Sequence, residues 1–429
     1  MSVHLLPAAQ ALAGLEGFHT VIDARSEAEF AEDRLPGAVN WPSLNDAERR
    51  EVGTLYKQVS PFDARKRGAA LVARNIARHV EQQVMARDRG WRPLVYCWRG
   101  GQRSGALATV LDQIGFQVHV LEGGYRAFRR AVIAELQTLP QRLSLQVLVG
   151  RTGSAKTRLL HALARAGAQV LDLEGLAAHR GSVLGLEPGR PQPSQKAFET
   201  TLWRALHGLD ATRPVFTEGE SRLIGRLRVP ESLLEQLRAA PCIELRVPAA
   251  ERVRFLLRDY AHYVADTEAF CARLAALREL RGAKLVERWQ QLARAGETAL
   301  VVTELLAQHY DPIYQRSMAR HFAHFAQALV GKKRQHEELA HEAPVDEHDG
   351  GDRGNRHQLH QAGADIAAGA RLVLDDPGLA ERRARHHAGL CARGAYRVDR
   401  PVLDAGGHAA GISGRHGDRP ARFMESIDA

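Results

Sequence analysis

PLVYCWRGGQRSGALATVLDQIG, residues Pro93 to Gly115, reads as a buried strand that stops at a glycine-rich loop and runs straight into a helix. The run PLVYC is continuously apolar rather than alternating, the pattern of a strand covered on both faces of a parallel sheet. Cys97 stands where that strand ends. Gly100 and Gly101 let the loop curl with its amides inward, and Ser104 is placed to cap a helix beginning at Gly105. Working outward, HTVID at His19–Asp23 is a short β-branched strand, AEFAED a helical patch, and LPGAVN a turn into another strand. Ala64 to Met85 is helical, FQVHVLEGG a further strand, and AFRRAVIAEL the helix leading out through Leu139 and Pro140. This alternation predicts a parallel-sheet α/β domain over residues 1–140, with active groups at the C-terminal ends of its strands.

A second α/β unit, residues 141–330, opens with SLQVLVG at Ser144–Gly150, followed by the helix TRLLHALARAG. Strands are expected at AQVLDLE, RPVFTEGE and CIELRVP, and a mostly helical segment from Glu251 to about Val330. From 331 to 429 no sustained periodicity remains. After Lys333 there is no Lys or Trp while Arg, Ala, Gly, His and Asp dominate, so this tail is expected to be poorly ordered. The abrupt change also fits out-of-frame translation of a GC-rich gene end, which resequencing tests.

A chain of 429 residues exceeds one ordinary core at a prior of roughly 150 residues per domain. No apolar run approaches the length of about 20 residues that spans a bilayer, and Met1 to Leu15 has no export-signal pattern, so the expectation is a cytoplasmic protein. Cys97, Cys242, Cys271 and Cys391 form no C-x-x-C pair, which argues against a disulfide framework or a zinc site and leaves any special cysteine to act alone. The net charge of +9 favours a polyanionic partner such as nucleic acid.

Two loops carry chemistry. A cysteine accepts or delivers a chalcogen as the thiolate, and loop amides at a helix start, with Arg99 and Arg103 nearby, favour that form; the cradle Trp98, Arg99, Gly100, Gly101, Gln102, Arg103 and Ser104 would also hold a negative persulfide or perselenide. A lone cysteine after a strand is otherwise a small buried hydrophobe. Trp98 suits either stacking on a base or closing the loop against the core. The second loop, GRTGSAKT, follows a strand and opens a helix, the setting in which Gly150, Gly153, Ser154, Ala155, Lys156 and Thr157 make a phosphate cradle. Ala155 replaces the usual penultimate glycine of G-x-x-x-x-G-K-[ST], which weakens the case for a nucleotide relative to phosphate alone. Thr157 would reach Mg²⁺ if one is used. Asp172 and Glu218 end strands near this site, as metal-holding or as capping carboxylates. Arg180, Arg222 and Arg226 suit contacts to phosphate groups, or surface ion pairs, while Tyr310 and Tyr314 fit packing better than base stacking.

VIDARSEAEFAEDRLPGAVN (Val21–Asn40) resembles the opening of a rhodanese domain, and the cysteine loop resembles its active-site loop. CWRGGQRS together with EVGTLYKQVSPFDARKRGAALVARNIA (Glu51–Ala77) is similar to the bacterial tRNA 2-selenouridine synthases. That resemblance continues through LDLEGLAAHRGSVLG, TEGESRLIGR and HYDPIYQRS, over about residues 10 to 325. It implies a rhodanese-like domain fused to a P-loop domain, and replacement of the sulfur of 2-thiouridine at the tRNA wobble position by selenium. The implied co-substrates are selenophosphate and geranyl diphosphate, with an S-geranyl intermediate, no tightly bound cofactor, and selenophosphate synthase as a further partner. Cys97 would carry selenium and the phosphate loop would hold the prenyl diphosphate. A plain sulfurtransferase would need only the first domain, whereas a P-loop enzyme regulated by a rhodanese domain would act on a nucleotide.

Overall fold

The computed structural model describes residues 3–332 apart from 182–184, 186–188, 323 and 326–327; the tail reading falls, from residue 333 on, outside the described residues. The first sheet has five parallel strands: β1 (His4–Leu6), β2 (Thr20–Asp23), β3 (Ala38–Asn40), β4 (Pro93–Tyr96) and β5 (His119–Leu121), in the order β1-β5-β4-β2-β3. The central strand β4 is buried along its whole length, as its unbroken apolar run requires. Helices are started by local polar side chains. Ser26 and Glu29 form a capping box for Glu27–Glu32, and Ser60 with Pro61 at the first position opens Pro61–His79.

The second sheet contains β6 (Ser144–Val149), β7 (Gln169–Leu171), β8 (Pro214–Glu218), β11 (Cys242–Arg246) and β12 (Leu329–Lys332), ordered β12-β11-β6-β8-β7 and again parallel. Between β8 and β11 a small antiparallel hairpin, β9 (Leu223–Ile224) and β10 (Leu227–Arg228), buries Ile224 and Leu227 in the core. Helices from Ala249–Asp259 to Asp311–His321 build a lobe with its own core around Phe270, Leu274, Val286, Trp289 and Val301.

Three expectations change. The edge strand β1 was not anticipated: with three residues, and Leu5 66% exposed, it has no apolar alternation to read. The helical segment does not run to 330, because the chain returns to the sheet as β12, which pairs with β11 and crosses the expected boundary at 331. The cysteine-loop helix spans Gln102–Ile114 with Gly101 as its N-cap, so Ser104 lies inside the first turn rather than capping it.

The chain boundary near residue 140 is not a break in packing. Both sheets belong to one compact unit, and one apolar core holds Leu94, Leu121, Phe128 and Val132 from the first sheet and its helices with Leu145, Val147, Phe198 and Trp203 from the second. Helix Gly124–Thr138 meets helix Gln195–His207, where Phe128 and Trp203 pack edge to face at 5.9 Å. Buried polar groups cross the same seam. Thr200 Oγ1 donates to Asp33 Oδ2 at 3.0 Å, and Tyr125 OH donates to that oxygen at 2.8 Å. Arg129, itself buried, donates to Thr200 Oγ1 at 3.1 Å and to Glu199.

Candidate active sites

Cys97 follows β4 directly and is buried, and Ser104 Oγ donates to its sulfur at 3.1 Å. The early start of the helix brings that hydroxyl back over the thiol, where its one proton is shared between the sulfur and Gly101 O at 3.2 Å. The turn after β5 locks the cysteine loop backbone to backbone: Tyr125 N donates to Cys97 O at 2.8 Å and Arg126 N to Trp98 O at 3.1 Å. This approach explains two glycines. Gly124 lies at φ 57°, and a Cβ there would stand 2.3 Å from Cys97 O and 2.4 Å from Gly100 N. Gly100, at φ 68°, would place a Cβ 2.7 Å from Leu121 O.

Arg103 Nη1 donates to Glu29 Oε2 at 2.9 Å, and Arg49 lies 3.4 Å from the same oxygen. Burial raises the Glu29 carboxyl, but the two guanidinium groups outweigh it and hold the group below the ordinary carboxylate range. Arg103 therefore shares its charge with an acid beside the loop. Trp98 stacks on Tyr125 at 5.4 Å, the loop-closing arrangement of its two readings. Below, buried Asp23 and Arg25 form a bidentate pair braced by Tyr96 OH at 2.7 Å, with the Arg25 guanidinium 3.9 Å over the Tyr125 ring. The Asp-x-Arg of the sequence is thus the floor of this loop.

The second loop carries β6 into helix Lys156–Arg165. Lys156 Nζ donates to Gly150 O at 3.0 Å, curling the loop around its own ammonium. Ala155 adopts φ 61°, ψ 32°, so the residue standing in for glycine keeps the left-handed backbone that glycine favours. Buried Ser154 Oγ has no hydrogen-bond partner among the described residues. Gly153, at φ 84°, packs under Arg252, whose Nη1 donates to Thr152 O at 3.1 Å while its guanidinium pairs with both Asp311 oxygens at 2.8 Å. The helical lobe thereby clamps the outer turn of the loop.

Thr157 Oγ1 donates to Glu218 Oε1 at 2.6 Å, and it lies 3.3 Å from Glu174 Oε2. Glu174, Glu218 and Glu220 bring one oxygen each within 4.8 Å of one another. Burial, then the Glu218 charge, pushes Glu174 up to about 9 and Glu220 up to about 8; Glu218 is also raised, by burial first. Fully buried Glu218 keeps Oε2 without a partner among the described residues. Three converging oxygen donors, one orphaned, suit a hard divalent cation.

The remaining residues divide. Asp172 caps helix Leu173–Ala177, accepting from Gly175 N at 2.8 Å, with His161 Nε2 2.7 Å from its other oxygen, so the capping alternative describes it. Arg180 pairs with Asp259 and lies over the Tyr260 ring. Arg226 donates to Gln192 O at 2.7 Å, holding the β9–β10 hairpin, and Arg222 is exposed just before it. Tyr314 packs against Phe325 and Tyr310 against His309. Sequence reading missed Glu174, Glu220, Arg252 and Asp311. Glu174 and Glu220 stand two residues after the strand-end acids that it chose, a period-two signal that was present.

Residues 143–343 match the family described as tRNA 2-selenouridine synthase AAA domain, and residues 7–131 match the rhodanese-like domain. A tRNA 2-selenouridine synthase of Alcanivorax borkumensis is 36% identical over 332 residues, covering 70% of this chain and 90% of that one. Another, from Nitrosomonas europaea, is 38% identical and covers 56% of this chain and 63% of that one. Among solved structures, a rhodanese-related protein of Thermoplasma volcanium is 17% identical with a TM-score of 0.20, over 30% of this chain and 92% of that one.

Proposed function

Because this chain belongs to the tRNA 2-selenouridine synthase family, we propose that it converts 2-thiouridine at the tRNA wobble position to 2-selenouridine, with geranyl diphosphate as activating and selenophosphate as selenium-donating co-substrate. The observation that carries this reading is the pairing, in one packed unit, of a hydroxyl-assisted thiol at one strand end with a lysine-centred phosphate loop at another.

The chemistry needs both. The thiocarbonyl sulfur attacks C1 of the geranyl group, the carbon–oxygen bond breaks, and pyrophosphate departs. Lys156 and the loop amides are assigned to that leaving group. Alkylation makes the sulfur a leaving group: a selenium nucleophile adds at C2, the carbon–sulfur bond breaks, and geranylthiol is released. The selenium nucleophile is selenophosphate itself: after its selenium adds at C2, water cleaves the phosphorus–selenium bond, phosphate leaves and the selenocarbonyl remains, while Cys97, under Ser104, is assigned to positioning the donor's selenium. Mg²⁺ on Glu174, Glu218, Glu220 and Thr157 would supply charge neutralisation for the diphosphate. Arg222, whose side chain is exposed beside the hairpin, is assigned to tRNA phosphate, in keeping with the net charge of +9. Selenophosphate synthase is the proposed supplier of the selenium donor. No helix among the described residues is long and apolar enough to cross a membrane, and the cytoplasm, where tRNA is modified, is the proposed location.

The test is mass spectrometry of wobble nucleosides from cells lacking the native enzyme, complemented with this chain and supplied with selenium. The intact chain is expected to give 2-selenouridine. Cys97→Ser is expected to accumulate S-geranyl-2-thiouridine, and Lys156→Ala to leave 2-thiouridine untouched. Unchanged 2-thiouridine with abundant intact chain overturns the reading.

A further inference from the structure

The helical lobe encloses a cavity beside the phosphate loop. It is walled by helices Ala249–Asp259, Ala261–Ala265, Thr267–Ala275 and Thr298–Leu305 and by the turn Leu306–Tyr310, and it holds about 530 Å³ including its mouth. Among the described residues no charged side chain lines it; Leu256, Leu257, Val264, Val302 and Leu306 give its character. Val264 is 45% exposed, so apolar surface reaches the opening. A wall this apolar fits a hydrocarbon and offers little to a ribose or a base, which need directed polar partners.

Two residues join this cavity to the phosphate site. Thr152 belongs to the loop Gly150–Thr157 and also lines the cavity, with its carbonyl fixed by Arg252. Tyr260 forms another part of the wall; its ring lies against Arg180, and Glu174 is near enough for its charge to act on the Tyr260 hydroxyl. A ligand with its phosphates in the loop would therefore have a hydrocarbon-lined chamber at its other end.

We infer that this chamber seats the hydrocarbon chain of a prenyl diphosphate whose diphosphate lies in the Gly150–Thr157 loop. The inference rests on the prenyl-donor reading above and deepens it by giving the chain a place. It makes Val302 and Leu257 chain-length determinants: a larger side chain shortens the chamber and a smaller one extends it.

Calorimetry on the full chain with inorganic pyrophosphate, geranyl diphosphate and the fifteen-carbon farnesyl diphosphate provides the test. The unmodified protein is expected to bind geranyl diphosphate at least about tenfold tighter than pyrophosphate, since a buried chain adds affinity in proportion to its area. Val302→Trp should remove that advantage while leaving pyrophosphate within about twofold. Leu257→Ala should improve farnesyl relative to geranyl diphosphate, a gain that a merely damaged protein could not show. If the unmodified protein binds geranyl diphosphate no better than pyrophosphate, the prenyl-donor reading fails and this inference with it. If the advantage is present but neither substitution alters it, the donor reading stands and the chamber is overturned. Should Val302→Trp not fold, a diazirine-bearing prenyl diphosphate decides: crosslinks within 249–265 or 298–310 support the chamber, and crosslinks confined elsewhere overturn it.

Discussion

At the scale of single residues, Ala155 and Ser104 make the sharpest claims. Ala155 sits at φ 61°, where a Cβ costs about 1–2 kcal/mol, against roughly 0.5–1 kcal/mol of extra chain entropy for glycine. Ala155→Gly should therefore stabilise the protein by up to about 1 kcal/mol in denaturant titration. Ala155→Val should lower both stability and pyrophosphate affinity. Ser104→Ala removes the hydroxyl that donates to the Cys97 sulfur, and selenouridine formation should slow by up to about tenfold, with S-geranylation unchanged. Cys97 and Lys156 were legible in the sequence because each follows an apolar strand and precedes a glycine-rich turn, a purely local signal. The carboxylate trio was only half legible: Glu174 meets Glu218 and Glu220 through folding alone, and it follows a nearer acid, Asp172, that reads equally well. Asp311 and Arg252 are further apart still, 59 positions along the chain.

Among elements, the turn between β5 and helix Gly124–Thr138 acts as a latch on the cysteine loop. Gly124→Ala would drive a Cβ into Cys97 O and Gly100 N, and a loss of about 3 kcal/mol or more, with loss of selenouridine, is expected. Gly37 provides the control. It also lies at positive φ, 72°, but a Cβ there meets nothing within 4 Å, so Gly37→Ala should cost only the backbone strain of about 1–2 kcal/mol. Melting curves of the two variants separate contact from strain. The central strands were readable because they are buried and continuous; β1 and β12 were not, since three or four residues at a sheet edge carry no period.

For the whole molecule, charge and packing give separate predictions. Glu174 and Glu220 carry raised values in the folded state, so without a cation the folded protein holds more protons than the unfolded chain above the ordinary glutamate range. Stability should accordingly fall as pH rises from about 4.5 towards about 9. Mg²⁺ should restore it, and raise the melting temperature more at pH 8.5 than at pH 6; equal shifts at both would exclude these carboxylates as the binding group. Phe128 lies at the seam of the two sheets, fully buried against Trp203. Phe128→Ala should cost about 3–5 kcal/mol and lower one shared melting transition rather than one of two. That seam also sets a schedule for synthesis. Helix Gly124–Thr138 leaves the ribosome before its cover, which is complete only with helix Glu231–Ala239, about 100 residues later. At roughly 5–20 residues per second the nascent chain carries part of that helix's apolar face uncovered for about 5–20 seconds, a window in which a chaperone finds its substrate.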